Sequence, residues 1–136
     1  MSVPHFLLDT NICIYIRQNR PEDVRTKFET LSAGEAAISV ITWGELQYGA
    51  HKSKKRELAL ERLERFAGLV PVLPLPSTAG LAYGRVRAAL ETAGTVIGNN
   101  DLWIAAHALT ADLTLVTNNE REFRRIKGLR IENWAA

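Results

Sequence analysis

Five short apolar runs, His5–Leu8, Ala36–Val40, Val70–Leu73, Leu113–Val116 and Leu129–Ile131, punctuate the chain, with polar or amphipathic stretches between them. Runs this brief suit strands buried on both faces, whereas apolar residues recurring every three or four positions suit helices packed on one side. The second pattern predicts helices over 11–18, 22–31, 42–50, 56–69, 77–93 and 101–109. It is clearest in 77–93, where Ala79, Ala82, Val86, Ala89 and Ala93 share a face and Gly94 follows as a stop. Parallel strands need crossover connections of about this length. The chain is therefore expected to be α/β, with a mainly parallel central sheet of about four to five strands flanked by helices.

At 136 residues, without an internal repeat, low-complexity tract or linker, one domain over 1–136 is expected. A content of 46% hydrophobic and 24% charged residues excludes a disordered or charge-dominated chain. No apolar run approaches the roughly 20 residues that cross a bilayer. Met1–His5 carries no basic cluster ahead of an apolar stretch, so a cytoplasmic protein without membrane attachment is expected. The single cysteine, Cys13, cannot close an intramolecular disulfide. His5, His51 and His107 lack zinc-ligand spacing. Cys13, among Ile12, Ile14 and Ile16, reads as a buried apolar residue, and His107 as a helix residue without catalytic duty.

Formal charge is only +2, yet 51–65 and 120–130 each hold a surplus of three positive charges. Such patches either follow a phosphate backbone or are solvated helix faces laced with acids three or four residues away.

Ligands of open α/β sheets bind outside the carboxyl ends of the strands. The residues that follow the apolar runs are polar: Asp9-Thr10-Asn11, Thr42-Trp43-Gly44-Glu45 and Thr117-Asn118-Asn119, with Asp101 opening a helix after Gly98-Asn99-Asn100. Each acid has a local explanation. Asp9 suits a helix cap, Thr42 to Glu45 fits a capping box, Asp101 suits the helix dipole, and Asn119 to Glu122 resembles another cap. Three carboxylates gathered on one rim repel one another unless a cation offsets them. Oxygen ligands without His or Cys suit Mg²⁺ or Mn²⁺, which would support phosphodiester hydrolysis.

Leu7-Leu8-Asp9-Thr10-Asn11, Glu45-Leu46-x-x-Gly49, Ile97-Gly98-x-x-Asp101-x-x-Ile104-Ala105-Ala106-His107-Ala108 and Leu115-Val116-Thr117-Asn118-Asn119 with Arg121-Glu122-Phe123 resemble the PIN-domain ribonucleases. More narrowly they resemble the VapC toxins of bacterial toxin–antitoxin pairs, down to the ending 128–134. The resemblance implies a Mg²⁺- or Mn²⁺-dependent endoribonuclease in which Asp9, Glu45 and Asp101 match acidic metal-binding positions. Asn119, or Asn118 if the match shifts by one, falls at a fourth position that is Asp in many PIN domains. An amide there brings no charge and favours one metal ion over two. Thr10, Asn11 and Thr117 would orient carboxylates or waters. Lys54, Lys55, Arg56, Arg121, Arg124 and Arg125 are candidate contacts to RNA. The resemblance further implies a structured RNA substrate such as transfer RNA, a VapB-type antitoxin partner, and a homodimer within a larger complex. Trp43, Tyr48 and Trp103 either line a protein-binding surface or pack in the core.

Two other readings compete. Asp9 could act as a phosphoryl-accepting nucleophile, although Asn11 stands where the haloacid-dehalogenase pattern needs a second Asp. Alternatively the chain is a non-catalytic PIN-like module that binds RNA or protein. Nucleotide-cofactor enzymes lack support, since neither Gly-x-Gly-x-x-Gly nor a P-loop is present.

Overall fold

The computed structural model describes residues 3–135; Met1, Ser2 and Ala136, which the expected domain takes in, lie outside the described residues. Five strands form one parallel sheet in the order β3-β2-β1-β4-β5: β1 (Phe6–Leu8), β2 (Ala36–Ser39), β3 (Val72–Leu73), β4 (Thr114–Val116) and β5 (Ile131–Glu132). Seven helices connect them: α1 (Thr10–Gln18), α2 (Glu22–Glu29), α3 (Val40–His51), α4 (Arg56–Leu69), α5 (Ala79–Thr92), α6 (Asn99–Ala111) and the single-turn α7 (Glu120–Phe123). None is long and apolar enough to cross a membrane.

Alternation along β1 divides the core, because neighbouring strand residues face opposite sides of a sheet. Leu8 packs with Ile12, Ile16, Val24, Leu46, Leu63 and Phe66 from α1 to α4. Leu7 packs with Val86, Leu90, Leu102, Ile104 and Phe123 from α5 to α7. Both leucines are fully buried, so a short apolar run serves as a two-sided strand.

Several boundaries depart from the expected ones. The β2 run stops at Ser39, whose hydroxyl accepts the Ile41 N–H and caps α3, so that helix begins at Val40 rather than Thr42. The Thr42–Glu45 capping box does not form: the buried Thr42 hydroxyl has no hydrogen-bond partner among the described residues, and Glu45 bonds elsewhere. Val70 belongs to the end of α4, where its N–H bonds Phe66, which shortens β3 to Val72–Leu73. The last strand lies two residues later than its most apolar stretch. It pairs Ile131 with Leu115 and Glu132 with Val116.

Candidate active site

Strand order reverses at β1, whose chain neighbour β2 lies on one side and the much later β4 on the other. Such a switch point opens a crevice at the strands' carboxyl ends. Asp9 follows β1 directly, and its N–H donates to Val116 of β4 at 2.8 Å. Its carboxylate does two jobs. Oδ1 accepts the Thr10 N–H at 2.8 Å as the cap of α1, and Oδ2 accepts the Thr117 hydroxyl, also at 2.8 Å, across the switch point. The Thr117 hydroxyl in turn accepts the Asn119 N–H at 2.9 Å. Local capping and a place in the site are thus compatible for Asp9, which remains only 5% exposed. A carboxylate has about four lone-pair sites, so capacity remains on both oxygens for a cation.

Glu45 projects from the second turn of α3, and its Oε1 accepts the Thr10 hydroxyl at 2.6 Å. Thr10 and Thr117 thereby each hold one acid in place. Asp101 stands in the first turn of α6. Its carboxyl is pushed up to about 6, by burial first and then by the negative charges of Asp9, Glu45 and Glu122. Asp9 also lies above the ordinary carboxylate range, because burial and the Glu45 charge outweigh its two hydrogen bonds. The Glu45 charge thus bears on both Asp9 and Asp101, whose ionisation the site disfavours.

That donor set fits a hard divalent cation, which would relieve the repulsion. Among the described residues, no three His, Cys, Asp or Glu side chains are spaced to hold one ion by themselves. Mg²⁺ is commonly held by one or two carboxylates, with waters completing its shell.

Other predicted residues divide. Asn11 is exposed on α1 and makes no hydrogen bond to the acids among the described residues. The Asn119 N–H buttresses Thr117, whereas the Asn118 side chain turns to the Tyr15 hydroxyl at 3.1 Å and to Asn133 at 3.2 Å. Lys54, Lys55 and Arg56 line a cleft of about 400 Å³ at the turn between α3 and α4. Arg124 pairs with Glu120 at 2.8 Å, and Arg125 reaches the Thr95 carbonyl at 3.5 Å. Trp43 packs against the core and Trp103 stacks on Tyr83. Tyr48 is 67% exposed and lines a groove of about 750 Å³ with Thr10, Glu45, Lys52 and Asn100.

Sequence reasoning missed Glu122 as a fourth acid acting on Asp101 and the pairing of Ser39 with His107. Glu122 stood within a quoted motif, but nothing local distinguishes it from Glu120. The other pair lies 68 residues apart and carries no local signal.

A parallel five-stranded sheet with acids gathered at its switch point defines the class: a PIN domain model matches residues 6–129, and the chain belongs to the PIN-domain family, among its VapC ribonucleases. It is 43% identical over 130 residues to Ribonuclease VapC2 of Rickettsia felis, covering 95% of this chain and 97% of the relative. With the tRNA(fMet)-specific endonuclease VapC of Shigella flexneri it shares 44% identity over 130 residues, covering 96% and 98%. Among solved structures, DNA-bound VapBC from Salmonella typhimurium superposes with a TM-score of 0.90 at 43% identity, covering 97% and 99% of the two chains.

Proposed function

We propose that this protein is the toxin of a toxin–antitoxin pair, an endoribonuclease that hydrolyses phosphodiester bonds in structured RNA and is neutralised by a VapB-type antitoxin. The observation that carries this reading is the meeting of Asp9, Glu45 and Asp101 at the switch point, where the Glu45 charge raises the cost of ionising Asp9, and both raise that of Asp101. Asp9 and Asp101, with Glu45 beside them, would hold Mg²⁺ or Mn²⁺. Such an ion, when bound, lowers the pKa of a coordinated water and offsets charge on the phosphoryl oxygens. Thr10 and Thr117 fix the orientation of Glu45 and Asp9, so the acids need not reorganise. Asn119 adds no charge, which favours a single ion.

Lys54, Lys55, Arg56 and Arg121 present cations without an acidic partner among the described residues, and would contact the RNA backbone. Transfer RNA is the substrate class suggested by the name of the Shigella relative. The protein acts in the cytoplasm as a homodimer within a larger complex with its antitoxin.

Purified antitoxin-free protein is incubated with total RNA in Mg²⁺ or Mn²⁺, beside EDTA and Asp101→Asn controls, and the new 5′ ends are sequenced. Discrete cuts with 5′-phosphate and 3′-hydroxyl ends, lost in both controls, are expected. RNA binding without turnover would instead identify a non-catalytic PIN-like module. A phosphate trapped covalently on Asp9 would point to phosphoryl transfer.

A further inference from the structure

The helices that carry Glu45 and Asp101 are joined at a second point. His107 lies six residues after Asp101 on α6 and is 1% exposed, and its Nδ1 stands 2.8 Å from the hydroxyl of Ser39. Ser39 lies six residues before Glu45 and caps α3, its Oγ accepting the Ile41 N–H at 3.1 Å. With that N–H on one lone pair, the Ser39 O–H is free to donate to the Nδ1 of a neutral imidazole. Burial lowers the His107 pKa and so keeps the ring neutral.

Ser39 faces His107, and Glu45 lines one groove with Asn100 beside Asp101, so α3 and α6 pack in an antiparallel register. Six residues at about 1.5 Å each put either acid about 9 Å along its helix from the hydrogen bond. At one end of the crossing carboxylates repel, and at the other a buried bond holds the two helices together.

We propose that His107 is a positioning residue for the acid rim: through Ser39 it sets how α3 sits against α6, and hence the separation of Glu45 and Asp101 that a shared divalent cation requires. This rests on the cation-dependent nuclease reading given above. The test uses Mn²⁺ alone as probe, its binding followed by electron paramagnetic resonance without RNA, together with RNA-cleavage kinetics. His107→Leu fills the space but deletes the bond, whereas His107→Asn returns an amide near the Nδ1 position.

Partners bonded directly to metal ligands are worth about 10–100-fold in metal affinity; His107 acts at one remove, through the helix crossing, so the low end of that range applies. His107→Leu is therefore expected to weaken Mn²⁺ binding about tenfold and to lower kcat at unchanged KM, with His107→Asn restoring most of both. A folded His107→Leu protein that loses only Tm, with Mn²⁺ affinity and kcat retained, would overturn the proposal. If His107→Leu does not fold, Ser39→Ala is judged by the same criteria. Ring ¹⁵N shifts of His107 that are identical in wild type and Ser39→Ala would also overturn it, because the bond would then be absent. Wild-type protein that binds no Mn²⁺ while those shifts still respond to Ser39→Ala would sink the cation reading and leave the hydrogen bond standing.

Discussion

Asp101 makes the folded protein sensitive to acid in a direction opposite to that of most carboxylates. Its carboxyl titrates at about 6 when folded against 3.8 ordinarily, so between those values the folded chain holds more protons than the unfolded one. Stability contributed by this group is greatest below pH 4 and is lost as pH rises through about 6. In thermal melts in EDTA, Asp101→Asn is expected to have a higher Tm than wild type at pH 7, with the gap closing toward pH 4. A constant gap across that range would contradict the electrostatic account of the site. Thr117 supplies a second test at this scale. Its buried hydroxyl donates to Asp9 and accepts from Asn119, so Thr117→Val leaves both groups unsatisfied. We expect Thr117→Val to destabilise by about 1–3 kcal/mol in denaturant titrations, and Thr117→Ser to recover most of that. Equal stability of Val and Ser variants would show that the pair contributes nothing.

Two glycines separate helix propensity from backbone geometry at the scale of elements. Gly49 sits inside α3, and a Cβ there would meet nothing within 4 Å. Gly49→Ala should stabilise by about 0.5–1 kcal/mol, the ordinary difference between these residues in a helix. Gly94 ends α5 with φ of +70°, where an L side chain is strained although space is open. Gly94→Ala should destabilise by about 1–2 kcal/mol. Chemical denaturation of the two variants checks both signs, and equal shifts would refute the distinction. The capping residues show why element ends were harder to read than element centres. Ser39 caps α3 from within an apolar run, whereas Thr42 and Glu45 match the capping pattern but are used otherwise.

Across the whole molecule, cations free of acidic partners should govern RNA affinity. Lys54, Lys55 and Arg56 share one cleft, whereas Arg124 is engaged by Glu120 one turn away. In the inactive Asp101→Asn background, replacing the three with alanine should lower the slope of log affinity against log salt by about two, at roughly 0.7 per single-strand phosphate contact. Arg124→Ala should change it little. Filter binding over a salt series checks this, and an unaltered slope in the triple variant would place the RNA elsewhere. The parallel sheet imposes a second large-scale consequence: every strand directs its carboxyl end to one side, so residues far apart in sequence share one rim.

Periodicity and composition were enough for the α/β class and for the five strand positions to within a few residues; strand-end position singled out the three acids as candidates, and the family resemblance added Thr10 and Thr117 as residues that would orient them. These are local facts, since an apolar run or a strand-end carboxylate is visible without knowing its neighbours. Packing of the helices on the sheet set which strands adjoin, turned Asn11 to solvent and Asn118 toward Tyr15, and brought Ser39 to His107. It also decided that Glu122 acts on Asp101. Those outcomes depend on how helices cross a sheet, and the free energy of a crossing is spread over contacts between residues that no sequence window contains.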